Sequence, residues 1–192
     1  GFKPPSPGGV FEKPLCVADL TENIGGAIDT NETITRRMLL LLEGEWLANE
    51  AEFSAARDKI LAAYVPDEVR EDQIALFLLN DIIRYWRTMC VDYQHKVTHD
   101  KAKAIRLVKL RFSRMILYFG GVIAVAETWN MPAHDKRKRL AELLSFPTTG
   151  RIKSVIGNEA NEAINAYATF LEALNDQATR DKLEDADLNL AT

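Results

Sequence analysis

Two cysteines and three histidines are all the thiol and imidazole ligands that 192 residues offer. Cys16 and Cys90 lie far apart and form no CxxC, and His95, His99 and His134 fall at separate ends or loops. That spacing excludes a disulfide framework and a structural zinc site. Long apolar runs are also missing. The longest without a charge, MILYFGGVIAVA from Met115 to Ala126, is too short to span a bilayer. No basic, apolar, small-residue leader opens the chain, so a cytoplasmic location without membrane partners is expected. A net charge of −4 gives no global electrostatic case for nucleic acid, and any such case must be local. No catalytic motif names a reaction, and no catalytic residue is assigned.

Proline is scarce except at the start. GFKPPSPGGVFEKP holds four of the seven prolines and has no helical or strand periodicity. Proline and glycine at this density punctuate rather than fold. Residues 1–17 therefore read as an irregular connector with an upstream part missing, and residues 18–192 as one helical domain.

After residue 30 nearly everything has helical period. DTNETITRRMLLLLEGEWLANE opens on candidate caps Asp29, Thr30 and Asn31, and Gly44 is a candidate interruption. IGGAIDTNE ahead of it reads as a turn and cap. EAEFSAARDKILAAYV follows as a helix stopped by Pro66. Asp67 then caps a long helix over 68–95, and a second runs over 101–128. Shorter helices are expected at 133–145 and 148–156, and a last one at 158–183. In the last, Ile164, Tyr167, Phe170, Leu171 and Leu174 form the stripe to be buried. No segment alternates with period two. The prediction is an all-α antiparallel bundle whose two long helices form a central hairpin behind an irregular N-terminal arm.

Polar residues interrupt that hairpin. In FLLNDIIRYWRTMCVDYQHK, Asn80, Arg84 and Arg87 share one side at 100° per residue, and Asp81 and Asp92 fall on another stripe. In IRLVKLRFSRMILYF, four cations occur within nine residues, with only apolar residues and a serine between them. Buried guanidinium groups need anions. Two readings follow. In one, Glu43, Asp81, Asp92 and Glu127 neutralise the cations internally and fix the register of the bundle. In the other, Arg84, Arg87, Arg106, Lys109 and Arg114 line a groove for a phosphate-bearing ligand, with Arg114 at its margin. In either reading Arg84 and Arg87 are expected away from free solvent.

GVFEKPL, IGGAIDTN, ITRRMLLLLE, FLLNDIIRYWRTMCVDY and IRLVKLRFSRMILYFGG, in this order, resemble the C-terminal part of bacterial nucleotidyltransferase-like proteins of the polymerase-β type. More remotely the chain resembles HEPN-like bundles. The nucleotidyltransferase resemblance covers most of residues 9–130. It implies a helical domain that packs beside an upstream catalytic domain of the same polypeptide and helps hold nucleotide or acceptor. Magnesium and a nucleoside triphosphate would belong to that upstream domain, because the Gly-Ser and Asp-x-Asp elements do not occur here; no cofactor is implied for this chain. Two alternatives stand beside it: a non-catalytic bundle that forms homo-oligomers or docks a protein, and an HEPN-like module that binds or cleaves RNA.

Overall fold

The computed structural model describes residues 4, 5, 7, 12–22, 24–98 and 103–189, the last four of these by their backbone only. Its elements are helices joined by turns, and the fold is an all-α bundle. A short α1 (Val17–Thr21) precedes α2 (Asn31–Met38), which starts where Thr30 accepts the Thr33 amide at 3.2 Å. The turn and cap expected at IGGAIDTNE are present, with Thr30 as the capping residue. After Met38 the helix widens into a π turn, Leu39–Glu43, and Gly44 leaves it in an extended conformation. Then come α3 (Glu50–Tyr64), α4 (Leu76–Thr98), α5 (Lys103–Lys109), a second π turn (Leu110–Arg114) and α6 (Met115–Glu127). The chain closes with α7 (Ala133–Ser145), α8 (Thr148–Ile156), a 3-10 turn, α9 (Asn161–Asn175) and α10 (Gln177–Asn189).

The core forms where α2, α3, α4, α6 and α7 meet. Ile34, Met38, Ile60, Leu61, Leu78, Ile82, Ala124 and Leu140 are almost wholly buried there. Each such Ile, Leu or Met side chain contributes about 1.5–3 kcal/mol of transfer free energy relative to an exposed one. The expected hairpin is present: α4 packs along α5 and α6, which run on through the second π turn. The expected start of its second helix at Lys101, and His99, lie outside the described residues.

Four expectations need correction. The long helix starts at Leu76 rather than 68. Residues 66–75 make consecutive turns, and their polar groups are claimed from α7: Lys136 donates to the Glu71 carbonyl, and Arg137 to the Val65 carbonyl and Asp67. Asp67 therefore pairs with Arg137 at 2.7 Å instead of capping a helix. The last helix breaks at Asp176, whose carboxylate accepts the Thr179 amide at 2.9 Å and starts α10 afresh. The α9 stripe is only half-buried, and Leu171 is exposed, because α9 packs at the edge of the bundle.

The deepest charges lie where no groove was expected. Arg37 is wholly buried and bonds Tyr64, Asp29 and Asp81. Arg151 is also buried, with no carboxylate among its partners. Its guanidinium donates to the carbonyls of Leu143, Leu42 and Phe146. Those carbonyls end α7 and the first π turn, so two helix C-termini supply the compensating negative charge. Burial, reinforced by the nearby Arg57 cation, pushes the Arg151 pKa down to about 10. Arg57 donates to the Leu41 carbonyl at 3.2 Å. Together the two arginines satisfy carbonyls that the π turn frees from the α-helical ladder.

Candidate functional site

Both π turns line one cleft. Leu39 and Glu43 come from the first, Leu110 and Arg114 from the second. π turns displace side chains by one position from the α-helical register and often occur at functional sites. The cleft is about 280 Å³, and α4 contributes Tyr85, Met89, Asp92, Tyr93 and Lys96 to it. From α5 come Arg106 and Lys109. Its lining combines the apolar Leu39, Met89 and Leu110 with four cations and two carboxylates.

Two of the cations are paired internally. Lys96 meets Asp92 one turn away on α4, at 2.5 Å. Arg114 meets Glu43 at 2.9 Å across the cleft. The other Glu43 oxygen accepts the Tyr85 hydroxyl at 2.6 Å. Burial, and then the bond and charge of Glu43, hold the Tyr85 phenol well above its ordinary value, so it stays a proton donor. Arg106 and Lys109 have no carboxylate partner among the described residues. Among the described residues the Nε of Arg106 is moreover buried without a hydrogen-bond partner, as are the Nε of Arg36 and the Nη1 of Arg151. Buried N–H groups of this kind are uncommon and need an acceptor.

The five cations singled out in the sequence do not share one groove. Arg106, Lys109 and Arg114 come together, and Arg114 sits half exposed at the margin. Arg84 and Arg87 open instead onto a separate cleft of about 260 Å³ with Asn31, Thr88 and Val91. The expectation that both are withheld from solvent fails for Arg87, which is exposed and has no carboxylate partner among the described residues. Arg84 is half-buried, with its Nη1 3.5 Å from Asp81. The reason is rotational. The buried face of α4 is Leu78, Asp81, Ile82 and Tyr85, which turns the Arg84 and Arg87 row outward.

The four proposed internal acids all have cationic partners, though not always the expected ones. Glu43 holds Arg114 and Asp92 holds Lys96. Asp81 belongs chiefly to Arg37, and Glu127 meets Arg139 of α7 at 3.3 Å. Lys96, Tyr85 and Tyr93 were not singled out as site residues. The signal was present for Lys96: it follows Asp92 by four positions on the face that also carries Tyr85 and Met89. Among the described residues no cluster of three or more His, Cys, Asp or Glu side chains is placed to hold a metal. Nor, among them, is any helix long and apolar enough to cross a membrane. Compared with protein-family models, curated proteins and solved structures, the chain matches none.

Proposed function

We propose that the cleft between the two π turns binds a nucleotide, with Arg106 and Lys109 as its principal phosphate contacts. In this reading the chain is the substrate-binding helical part of a nucleotidyltransferase-like protein whose catalytic carboxylates, magnesium and reacting phosphate belong to an upstream domain. The observation that carries it is that Arg106 and Lys109, alone among the four cations lining the cleft, have no carboxylate partner among the described residues. A guanidinium suits phosphate oxygens through its planar fork, and an ammonium adds a point charge. Leu39, Met89, Leu110 and the Tyr93 ring, all in the lining, offer apolar surface for a base. These residues bind and orient; no bond-making step is assigned to them.

A thermal-shift titration with nucleoside triphosphates tests the reading. Ligand at a hundred times its Kd stabilises the folded state by about 2.7 kcal/mol. For a domain of this size that corresponds to a rise of roughly 5–10 °C in Tm. Arg106→Ala and Lys109→Ala should each abolish most of the shift, while Arg87→Ala, in the other cleft, should leave it. No shift with any nucleotide removes the proposal.

A further inference from the structure

We infer that Glu43 is a specificity-determining residue of this cleft: its carboxylate occupies Arg114 until a multiply charged phosphate displaces it. The inference rests on the cleft being the phosphate site. Its geometry distinguishes Glu43 from the other acid present. Asp92 pairs with Lys96 along one helix, so that pair moves with α4 and closes nothing. Glu43 and Arg114 are 71 positions apart and end the two π turns, so their contact joins one wall of the cleft to the other.

The contact is suited to exchange. Arg114 is 49% exposed and Glu43 28%, and a solvated pair of this kind holds weakly. The carboxylate takes a single N–H of Arg114, through Nη1. A phosphate can take two in parallel and bring more charge, so it outcompetes the carboxylate. A singly charged ligand brings no more charge than Glu43 does. It gains nothing by displacing it, and is repelled where Glu43 stays. The carboxylate also has somewhere to go. Glu43 also lines a second cleft of about 360 Å³ with Ser113 and Thr148, a polar surrounding for the displaced group. Glu43 ends its helical segment immediately before the irregular stretch that opens at Gly44, so its side chain can turn away without unwinding a helix. The consequence is selectivity for ligands with two or more charges, together with loss of the link between the π turns on binding.

The rival role is positioning, in which Glu43 merely holds Arg114 ready for ligand. Calorimetric titration separates the two, with tripolyphosphate and dimethyl phosphate as the multiply and singly charged probes. Glu43→Gln keeps an acceptor for the Tyr85 hydroxyl and removes the charge. Its Tm and circular dichroism should match those of the unaltered chain. The expected result is that Glu43→Gln binds tripolyphosphate about tenfold tighter, and that its preference over dimethyl phosphate falls by a similar factor. The double variant with Arg114→Gln should lose that gain. Binding by Glu43→Gln alone, with none by the unaltered chain, overturns displacement, because the carboxylate then blocks Arg114 against a multiply charged phosphate too. Equal or weaker binding by a folded Glu43→Gln, where the unaltered chain binds, overturns the inference and leaves the cleft as a phosphate site. No binding of tripolyphosphate by either protein overturns both.

Discussion

Arg37 Nη2 donates to Asp81 Oδ2 over 3.0 Å, joining α2 to α4 across 44 positions of sequence. The same nitrogen bonds Asp29 at 2.6 Å, and Tyr64 accepts from Arg37 Nε while donating to Asp81. One cation thus sits between two carboxylates with a phenol closing the triangle, almost wholly out of water. This explains the polar residues in the middle of α4. The buried group there is the aspartate, and its arginine comes from another helix. Removing the arginine leaves two buried carboxylates without their shared cation. Arg37→Met should therefore cost about 3–5 kcal/mol. Urea unfolding reads it directly, and a loss below about 1 kcal/mol would mean that the network is dispensable.

Stability should also depend on acid. Burial pushes the Asp29 carboxyl up, but its bonds from Arg37, Thr33 and the Gly25 amide outweigh burial and hold it below its ordinary value. A carboxyl depressed in the folded state stabilises fully above its unfolded pKa, about 3.9. That contribution is lost as pH falls through the lower folded value. Asp29→Asn should accordingly be less stable than the unaltered chain at neutral pH, and the difference should narrow below about pH 4. Equal pH profiles from thermal unfolding would contradict this.

Arg151 is another of the buried cations, and its removal tests a different device. With no carboxylate to leave behind, Arg151→Met strands only the carbonyls of Leu143, Leu42 and Phe146. An unsatisfied buried acceptor costs about 1–3 kcal/mol, and Met fills much of the volume. A loss of about 3 kcal/mol is expected, measured in urea. A more stable Arg151→Met would show that solvation of the guanidinium outweighs its bonds to the two helix ends.

What the sequence makes legible here is what has a period. The all-α class, the α4 hairpin and helices α7 and α8 follow from apolar spacing and from Pro132 and Pro147. The 66–75 turns were not legible, because nothing local shows that Lys136 and Arg137 will take their carbonyls from 65 and 72 positions away. The π turns leave no local mark either. The first depends on Arg57 and Arg151 reaching its carbonyls from other helices. Likewise the cation cluster was visible as composition, but its division between two clefts depends on how α4 is rotated. That rotation follows the buried face of Leu78, Asp81, Ile82 and Tyr85, in which Asp81 is held by Arg37 and Tyr64.

Gly44 ends the π turn that presents Glu43, and the reason for glycine there is space. Its backbone lies at φ −73°, which any residue adopts. A Cβ at this position would stand 2.7 Å from the Leu40 carbonyl oxygen and 3.1 Å from the Leu40 Cα, both backbone atoms of the π turn itself. Gly157 is the opposite case: its φ is +75° and nothing lies within 4 Å of an added Cβ. Alanine at Gly157 should cost about 1–3 kcal/mol through backbone strain alone, with no effect on the cleft. Alanine at Gly44 should cost a similar amount through crowding, about 1–3 kcal/mol, because the turn must shift to admit it. That shift moves Glu43 and Leu39, so only Gly44→Ala should also change the affinity for tripolyphosphate. Urea unfolding and titration of the two variants side by side check both halves. A Gly44→Ala protein as stable as the unaltered chain, with unchanged affinity, would mean that the π turn accepts a side chain and does not depend on glycine.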